Sequence, residues 1–304
     1  MNKCSAHCSD SFSPSVSIVI PCYNGAEYIR ETLKRTFSQR CNPHEVLFID
    51  DGSTDYSFEI AVEFPVRLMR NEKNRGLAYA RNRAIDAVSG DVIMFLDVDA
   101  WPAEDLIELI MKEFSRKQTE VVCGRGIEVN VQNKYDAFRK RFFSQDMGCR
   151  RKEDAPVMFG LCSAIRKDVL VAIGGYNPEF LTNGEDFDLA FRLRAAGTRI
   201  IYNPDLKVFH HRRDDRDSFF RLVYRWYYWG ARAYQVNGKA YLLPFLIKAV
   251  ADIFPHFFFS LGLGNVRALW IPFRIAALRI RAVLDLEGRK PPDPQGYGKS
   301  GHPE

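Results

Sequence analysis

Short apolar runs alternate with stretches of helical spacing along the N-terminal third of the chain. Val16–Ile20, Glu45–Ile49, Val66–Met69 and Val92–Leu96 read as strands, and each is closed by turn or cap residues. Between them, Ala26–Ser38 places Tyr28, Ile29, Leu33 and Phe37 on one side of a helix. Asn74-Arg75-Gly76 caps a second helix from Leu77 to Val88. Strand and helix alternating four times predict an α/β fold with a mostly parallel sheet flanked by helices. The unbroken apolar run Val92–Leu96 belongs in the middle of such a sheet, buried on both faces.

Further along, Pro102 to about Phe114 reads as a helix and Val121–Val129 as a strand. Val157–Ile165 reads as an extended segment, Phe187–Ala196 as a helix ended by Gly197, and Arg199–Tyr202 and Lys207–His210 as two short strands. The polar, aromatic stretch Asn130–Asp154 carries no pattern that places it.

Polar residues follow each early strand: Tyr23-Asn24, Asp50-Asp51, then Asp97 and Asp99. Ligands of open α/β sheets bind beyond the carboxyl ends of the strands, so this edge is the candidate site. If the extended conformation persists past Leu96, period two points Asp97 and Asp99 the same way, a hard oxygen-rich pair suited to Mg²⁺ or Mn²⁺. No G-x-G-x-x-G follows the first strand and no G-x-x-x-x-G-K-[ST] occurs, which disfavours a dinucleotide fold of that type and a P-loop kinase.

Composition adds three points. An apolar fraction of 46% supports a sizeable core. Seven cysteines without a C-x-x-C pair suit reduced thiols in a cytosolic setting, and Cys4-x-x-His7-Cys8 lies in a Ser-rich leader. The net charge of +5 is unevenly spread: residues 206–304 hold 16 Lys and Arg against 8 Asp and Glu.

Seven pieces in order resemble the inverting family 2 glycosyltransferases. They are Val19–Asn24, Ile49–Asp55, Asn74–Ala78 with Ala80-Arg81-Asn82, Leu96–Asp99, Gly174-Gly175-Tyr176, Gly184–Leu189 with Arg192, and Val208-Phe209-His210. The resemblance implies the GT-A fold, a Rossmann-like nucleotide-diphospho-sugar transferase, over residues 15–212. It further implies that Pro21 and Tyr23 line the nucleotide base, that Asp51 hydrogen-bonds it, and that Arg81 lies near the base or diphosphate. Asp97 would face the ribose or sugar, Asp99 would hold Mn²⁺ or Mg²⁺, and His210 would complete the metal site. Asp186 would be the catalytic base, with Glu185 the alternative. The chain departs from the pattern in one place: many relatives carry an acidic residue directly after Tyr-Asn, whereas Glu27 here follows Gly25-Ala26.

The expected activity is transfer of a sugar from a nucleotide-diphosphate donor to a glycan or lipid-linked acceptor. The alternatives are a nucleotidyltransferase, which should carry a Gly-rich basic loop where Pro21–Gly25 stands, and a catalytically silent scaffold, which would be expected to lack Asp99 or Asp186.

Residues 213–287 read as a basic, aromatic, amphipathic helical appendage. Leu242–Leu263 is about long enough to span a bilayer. Lys248, Asp252, His256 and Ser260 nevertheless form a polar stripe at intervals of four, and a Lys or Asp at the centre of a spanning helix costs roughly 2.5–3.5 kcal/mol. A helix lying in the interface fits better, followed by a basic one in which Arg267, Arg274 and Arg281 recur every seven residues. The expected setting is the cytoplasmic face of a membrane. Nucleic acid is not an expected partner, since the acidic strand-end edge would repel it. Residues 1–14 and 288–304 are expected to be disordered.

Overall fold

The structure, a computed structural model, describes residues 14–264 and 266–286. The leader with Cys4, His7 and Cys8, and the tail at 288–304, lie outside the described residues. The N-terminal alternation forms as expected: β1 (Val16–Cys22), α1 (Ala26–Phe37), β2 (Glu45–Asp50), α2 (Ser57–Val62), β3 (Arg67–Arg70), α3 (Leu77–Ala87) and β4 (Val92–Leu96). After these come β5 (Ala100–Pro102), α4 (Leu106–Phe114), β6 (Val121–Glu128), α5 (Lys134–Phe142), β7 (Cys162–Arg166), α6 (Lys167–Ala172), α7 (Glu185–Ala195) and β8 (Ile200–His210). Helices α8 (Arg216–Val236), α9 (Leu242–Ala251), α10 (Ile253–Gly262) and α11 (Ile271–Leu286) complete the described chain.

One eight-stranded sheet has the order β3-β2-β1-β4-β7-β6-β8-β5. It is parallel from β3 to β4 and mixed beyond, because β7 runs antiparallel to both β4 and β6, and β5 antiparallel to β8. Both faces are covered, which explains the unbroken apolar runs. Val19, Leu47, Ile93 and Phe95 enter one core with α3, α7 and α8, while Ile18, Ile20, Phe48 and Met94 enter the other with α1 and α4. Pro21 sits inside β1 opposite Ile49, but pairing of β1 with β4 ends at Val19–Phe95, so its missing N–H falls where the ladder has stopped.

Two features were not legible beforehand. Residues 200–210 form one strand rather than two, because the Asn203-Pro204-Asp205 turn chemistry is absorbed as an irregularity opposite Gly124. A Cβ at Gly124 would lie 2.3 Å from the Leu206 carbonyl oxygen, so only glycine fits there. The unplaced polar stretch contains α5, capped by the Asn133 side chain accepting from the N–H groups of Tyr135 and Asp136. The buried Arg139 of α5 donates to Glu128 Oε2 at 2.9 Å and to the Arg212 carbonyl at 2.7 Å, and it also pairs with Asp136 and Asp214. One guanidinium thus joins α5, the end of β6 and the loop before α8.

The C-terminal helices turn their polar stripe inward. His256 and Ser260 are buried, and Asp252 pairs with Arg279 of α11 at 2.7 Å; only Lys248 stays exposed. The apolar face points away from the protein, with Leu243 66%, Phe254 69% and Phe258 67% exposed. The segment Leu242–Gly262 is long and apolar enough to cross a bilayer by length and composition. Its two helices meet at Asp252.

Replacing Arg139 by alanine removes the shared partner of three buried carboxylates and is expected to lower stability by about 3–5 kcal/mol, measured by urea unfolding. Lysine should not restore it, since one ammonium cannot reproduce the fork. Wild-type stability in the alanine variant would refute this.

Candidate active site

The strand ends at the β3-β2-β1-β4 edge open onto a cleft of about 1200 Å³ lined by Pro21, Tyr23, Asp51 and Asp99, with Arg212 and Arg213 from the loop before α8. Asp51 is buried and heavily engaged. It accepts hydrogen bonds from Asn71 Nδ2 (2.6 Å), Arg75 N (3.1 Å) and Gly76 N (2.8 Å), so it pins the loop that leads into α3. Burial raises its pKa, opposed by these donors. Gly76 needs its positive φ of 97°, and the Leu181 backbone would lie 2.8 Å from a Cβ there.

Asp97 and Asp99 do not face the same way. The extended conformation stops at Leu96, and residues 98 and 99 form a turn before β5. The expected pair of like-facing carboxylates is therefore split. Asp99 lines the cleft, whereas Asp97 lines a neighbouring pocket of about 310 Å³ with Arg81, Gly160, Glu185 and Asp186.

His210 lies beside Asp99. β8 pairs His210 with Ala100 of β5 and with Glu128 of β6, and this register brings three side chains together. His210 Nε2 lies 3.3 Å from Asp99 Oδ2, and Nδ1 lies 2.7 Å from Glu128 Oε1. Burial disfavours the imidazolium, but the carboxylates of Asp99 and Glu128 outweigh it and lift His210 to about 10. Burial also opposes ionisation of Asp99, yet His210 holds it down at about 2. Among the described residues no cluster of three or more His, Cys, Asp or Glu could hold a metal by itself. Asp99 with His210 would suit a divalent cation once the cation displaced the proton on Nε2, and Glu128 would then orient the neutral imidazole through Nδ1. Glu128 and Arg139 escape sequence reasoning because in the chain they look like a polar strand end and one more basic helix residue.

Arg81 lies elsewhere than expected. It is fully buried and absent from the lining of the cleft. Nη1 donates to Glu185 Oε1 at 2.8 Å and Nη2 to Asp97 Oδ1 at 3.1 Å, while the rings of Phe95 and Tyr176 each lie 5.3 Å from the guanidinium carbon. Small residues on the buried side of α3, Ala78 and Ala84, bring the helix close enough to the sheet for this. Arg81 is thus a clamp between two carboxylates instead of a base or diphosphate contact. Its partner Glu185 is buried with it. Asp186, in the first turn of α7, is only partly buried, and it accepts from Gly160 N (3.0 Å) and Phe187 N (2.8 Å). Burial, the largest cause for each, raises both Glu185 and Asp186 above the ordinary carboxylate range. Both line the pocket, and Asp186 is the more exposed of the two.

The far wall of this pocket comes from Trp226, Gly230 and Tyr234 of α8 and Phe245 and Lys248 of α9. A Cβ at Gly230 would touch only Phe245 Cε1, at an ordinary 3.8 Å. No close packing requires glycine there, so the missing side chain is pocket volume. Sequence reading passed over Gly230 because its neighbours, Trp229 and Ala231, continue a helix.

A strand-edge cleft joined to a small pocket with a partly exposed carboxylate suits an enzyme of group transfer on the α/β scaffold. The family model "Glycosyl transferase family 2" matches residues 17–174, and the chain belongs to that family. It is a glycosyltransferase. It is 26% identical over 235 residues to a glucosyl-dolichyl phosphate glucuronosyltransferase of Haloferax volcanii, covering 71% of this chain and 75% of that one. It is 29% identical over 213 residues to glycosyltransferase AglE of the same organism, covering 66% and 68%. Among solved structures, a Pyrobaculum calidifontis mannosyltransferase in complex with GDP-mannose and Mn²⁺ superposes with a TM-score of 0.62 at 20% identity, over 91% of this chain and 88% of that one. A TarS fragment from S. aureus superposes with a TM-score of 0.56 at 17% identity, over 90% of each. These likenesses establish the GT-A fold.

Gly230→Leu is expected to fill the pocket without unfolding the protein, since leucine improves helix propensity over glycine by roughly 1 kcal/mol. Turnover with acceptor should fall on the order of 10²-fold through misplacement of the reacting group, with nucleotide affinity kept. Calorimetry and steady-state kinetics check this, and unchanged turnover would show that the space is unused.

Proposed function

We propose that the enzyme moves a sugar from a nucleotide-diphosphate donor onto a hydroxyl of a glycan or lipid-linked acceptor, with inversion and with help from Mn²⁺ or Mg²⁺. The observation that carries this reading is the partly exposed Asp186 in a small pocket beside the cleft that holds Asp99. Pro21 and Tyr23 would flank the base, and Asp51 would shape the loop beneath it. Asp97 would lie on the sugar side, and Arg212 and Arg213 stand where a diphosphate could reach them. A cation held by Asp99 and His210 would neutralise charge on the departing diphosphate. Asp186 takes the proton of the acceptor hydroxyl as its oxygen bonds the anomeric carbon. The bond from that carbon to the phosphate oxygen breaks on the opposite face, and one displacement gives one inversion. A metal-bound mannosyltransferase of the same fold supports the metal's part.

The outward apolar face of α9 and α10 supports residence at a membrane surface, and the proposed side is the cytoplasmic one. A soluble helix packs its apolar side inward, and these two do the reverse. A relative named for a dolichyl phosphate-linked substrate is consistent with an acceptor arriving from lipid. Phe254→Asp with Phe258→Asp should weaken vesicle co-sedimentation and leave donor hydrolysis intact; undiminished co-sedimentation would count against the membrane assignment.

The decisive experiment is a nucleotide-sugar panel scored for released nucleoside diphosphate with Mn²⁺, Mg²⁺ or EDTA. Metal-dependent turnover of one donor is expected, lost in Asp99→Ala. Asp186→Asn should reduce transfer by ~10²–10⁴ with nucleotide affinity retained. A base works deprotonated, and the Asp186 pKa is raised, so activity should fall with decreasing pH at a point above the ordinary 3.8. Full transfer by Asp186→Asn would remove it from the base role.

A further inference from the structure

Beside the donor cleft runs an open groove of about 790 Å³ between α8 and α11. Its lining contains five arginines, namely Arg216, Arg221 and Arg225 from α8 and Arg274 and Arg281 from α11. The lining has one carboxylate, Asp217, and Arg216 already engages it at 3.0 Å. Arg281 reaches Asp285 at 3.3 Å. Arg221 and Arg274 are exposed. Asp285 beside Arg281 and Asp215 near Arg221 offset part of this charge, and the excess of arginines over carboxylates favours an anion. Guanidinium forks match phosphate oxygens in pairs, which makes phosphate the fitting anion.

Two junctions identify what carries that phosphate. Arg221 and Arg225 line both the groove and the donor cleft, and Leu77 and Thr182 line both the cleft and the pocket of Asp186. The groove is therefore continuous with the reaction site. At its other end it meets the exposed apolar face. Trp270 lines the groove against Phe220, with ring centroids 5.3 Å apart, and Phe273, next to Arg274, lies 6.3 Å from Phe257 of α10. A tryptophan between a cationic groove and an apolar surface suits the water–lipid boundary.

We infer that the groove binds the phosphate that links a lipid-carried acceptor to its hydrocarbon chain, with that chain lying along the outward face of α9 to α11. This rests on the proposed transferase function and names the class of acceptor: an isoprenoid or similar lipid bearing a phosphate or diphosphate. Phosphate capture by the arginines would hold the acceptor's polar end at the mouth of the active site.

The test uses the full chain and three vesicle types: neutral phosphatidylcholine, the same lipid doped with a polyisoprenyl phosphate, and a phosphatidylcholine–phosphatidylglycerol mixture of matched surface charge. The wild type should prefer the polyisoprenyl phosphate vesicles to the phosphatidylglycerol vesicles by about tenfold, and millimolar inorganic pyrophosphate should erode that preference. Arg274→Glu with Arg281→Glu, two exposed positions outside the donor cleft, should abolish it, since each arginine near an anionic surface contributes about fivefold in affinity. Arg274→Lys with Arg281→Lys should retain a measurable part. Equal binding to the two charged vesicles, or a Glu variant that binds like wild type, would overturn the assignment. Acceptor-free donor hydrolysis in the same preparations separates the two readings. If it is intact while the preference is missing, only the groove assignment fails. If no donor is hydrolysed or bound, the transferase reading itself fails.

Discussion

The buried ion pairs of Arg81 are the constraint on which the active edge depends. A guanidinium without exposure needs charge and hydrogen-bond acceptors around it, and here Asp97, Glu185 and the Gly160 carbonyl supply them to Nη1 and Nη2, while Nε has no hydrogen-bond partner among the described residues. Those three partners come from the end of β4, the start of α7 and the segment before β7. Satisfying one arginine therefore brings three distant stretches to one point. Asp186 owes its place to this clamp, because it follows Glu185 at the helix start and also takes the Gly160 N–H. The clamp also accounts for the different environments of two adjacent carboxylates. Glu185 gives one oxygen to Arg81 and is buried, with its second oxygen unpartnered among the described residues, whereas Asp186 is the more exposed of the two.

A second chain of charges does the same for the cleft. Arg139 holds Glu128, Glu128 holds His210, and His210 faces Asp99. Through the carbonyl of Arg212 and the carboxylate of Asp214, Arg139 also fixes the loop that presents Arg212 and Arg213. The two halves of the cleft, acidic at Asp99 and basic at Arg212, are thus positioned by the same side chain. A substrate diphosphate with a divalent cation has this pattern of opposite charges.

The C-terminal helices serve the site as well as the surface. α8 walls the small pocket with Trp226 and Gly230 and faces the groove with Arg221 and Arg225. α9 closes the pocket with Phe245 while turning Leu243 and Ile247 outward. The same helix thus forms a wall of the small pocket on one side and an exposed apolar surface on the other.

The sequence alone determined the alternating architecture, because runs buried on both faces have no other reading once turn residues bound them. It also determined that Tyr23, Asp51, Asp97 and Asp99 gather at one edge, since strands of a parallel sheet all end on the same side. The ordered motifs singled out His210, which the fold sets beside Asp99, and Asp186, which it sets in the small pocket. Tertiary structure decided the rest. Asp97 and Asp99 part company because the chain turns at Val98, and a turn of two residues leaves no periodic trace. Arg81 lies in the interior because α3, with small residues on its buried side, packs closely on β1 and β2, a fact of helix placement. Glu128 and Arg139 matter only through partners far away in the chain. The sequence showed that Lys248, Asp252, His256 and Ser260 form a stripe. Only packing against α5 and α11 decided that the stripe faces the protein and the apolar side faces out, because helical periodicity defines a face and says nothing about what that face meets.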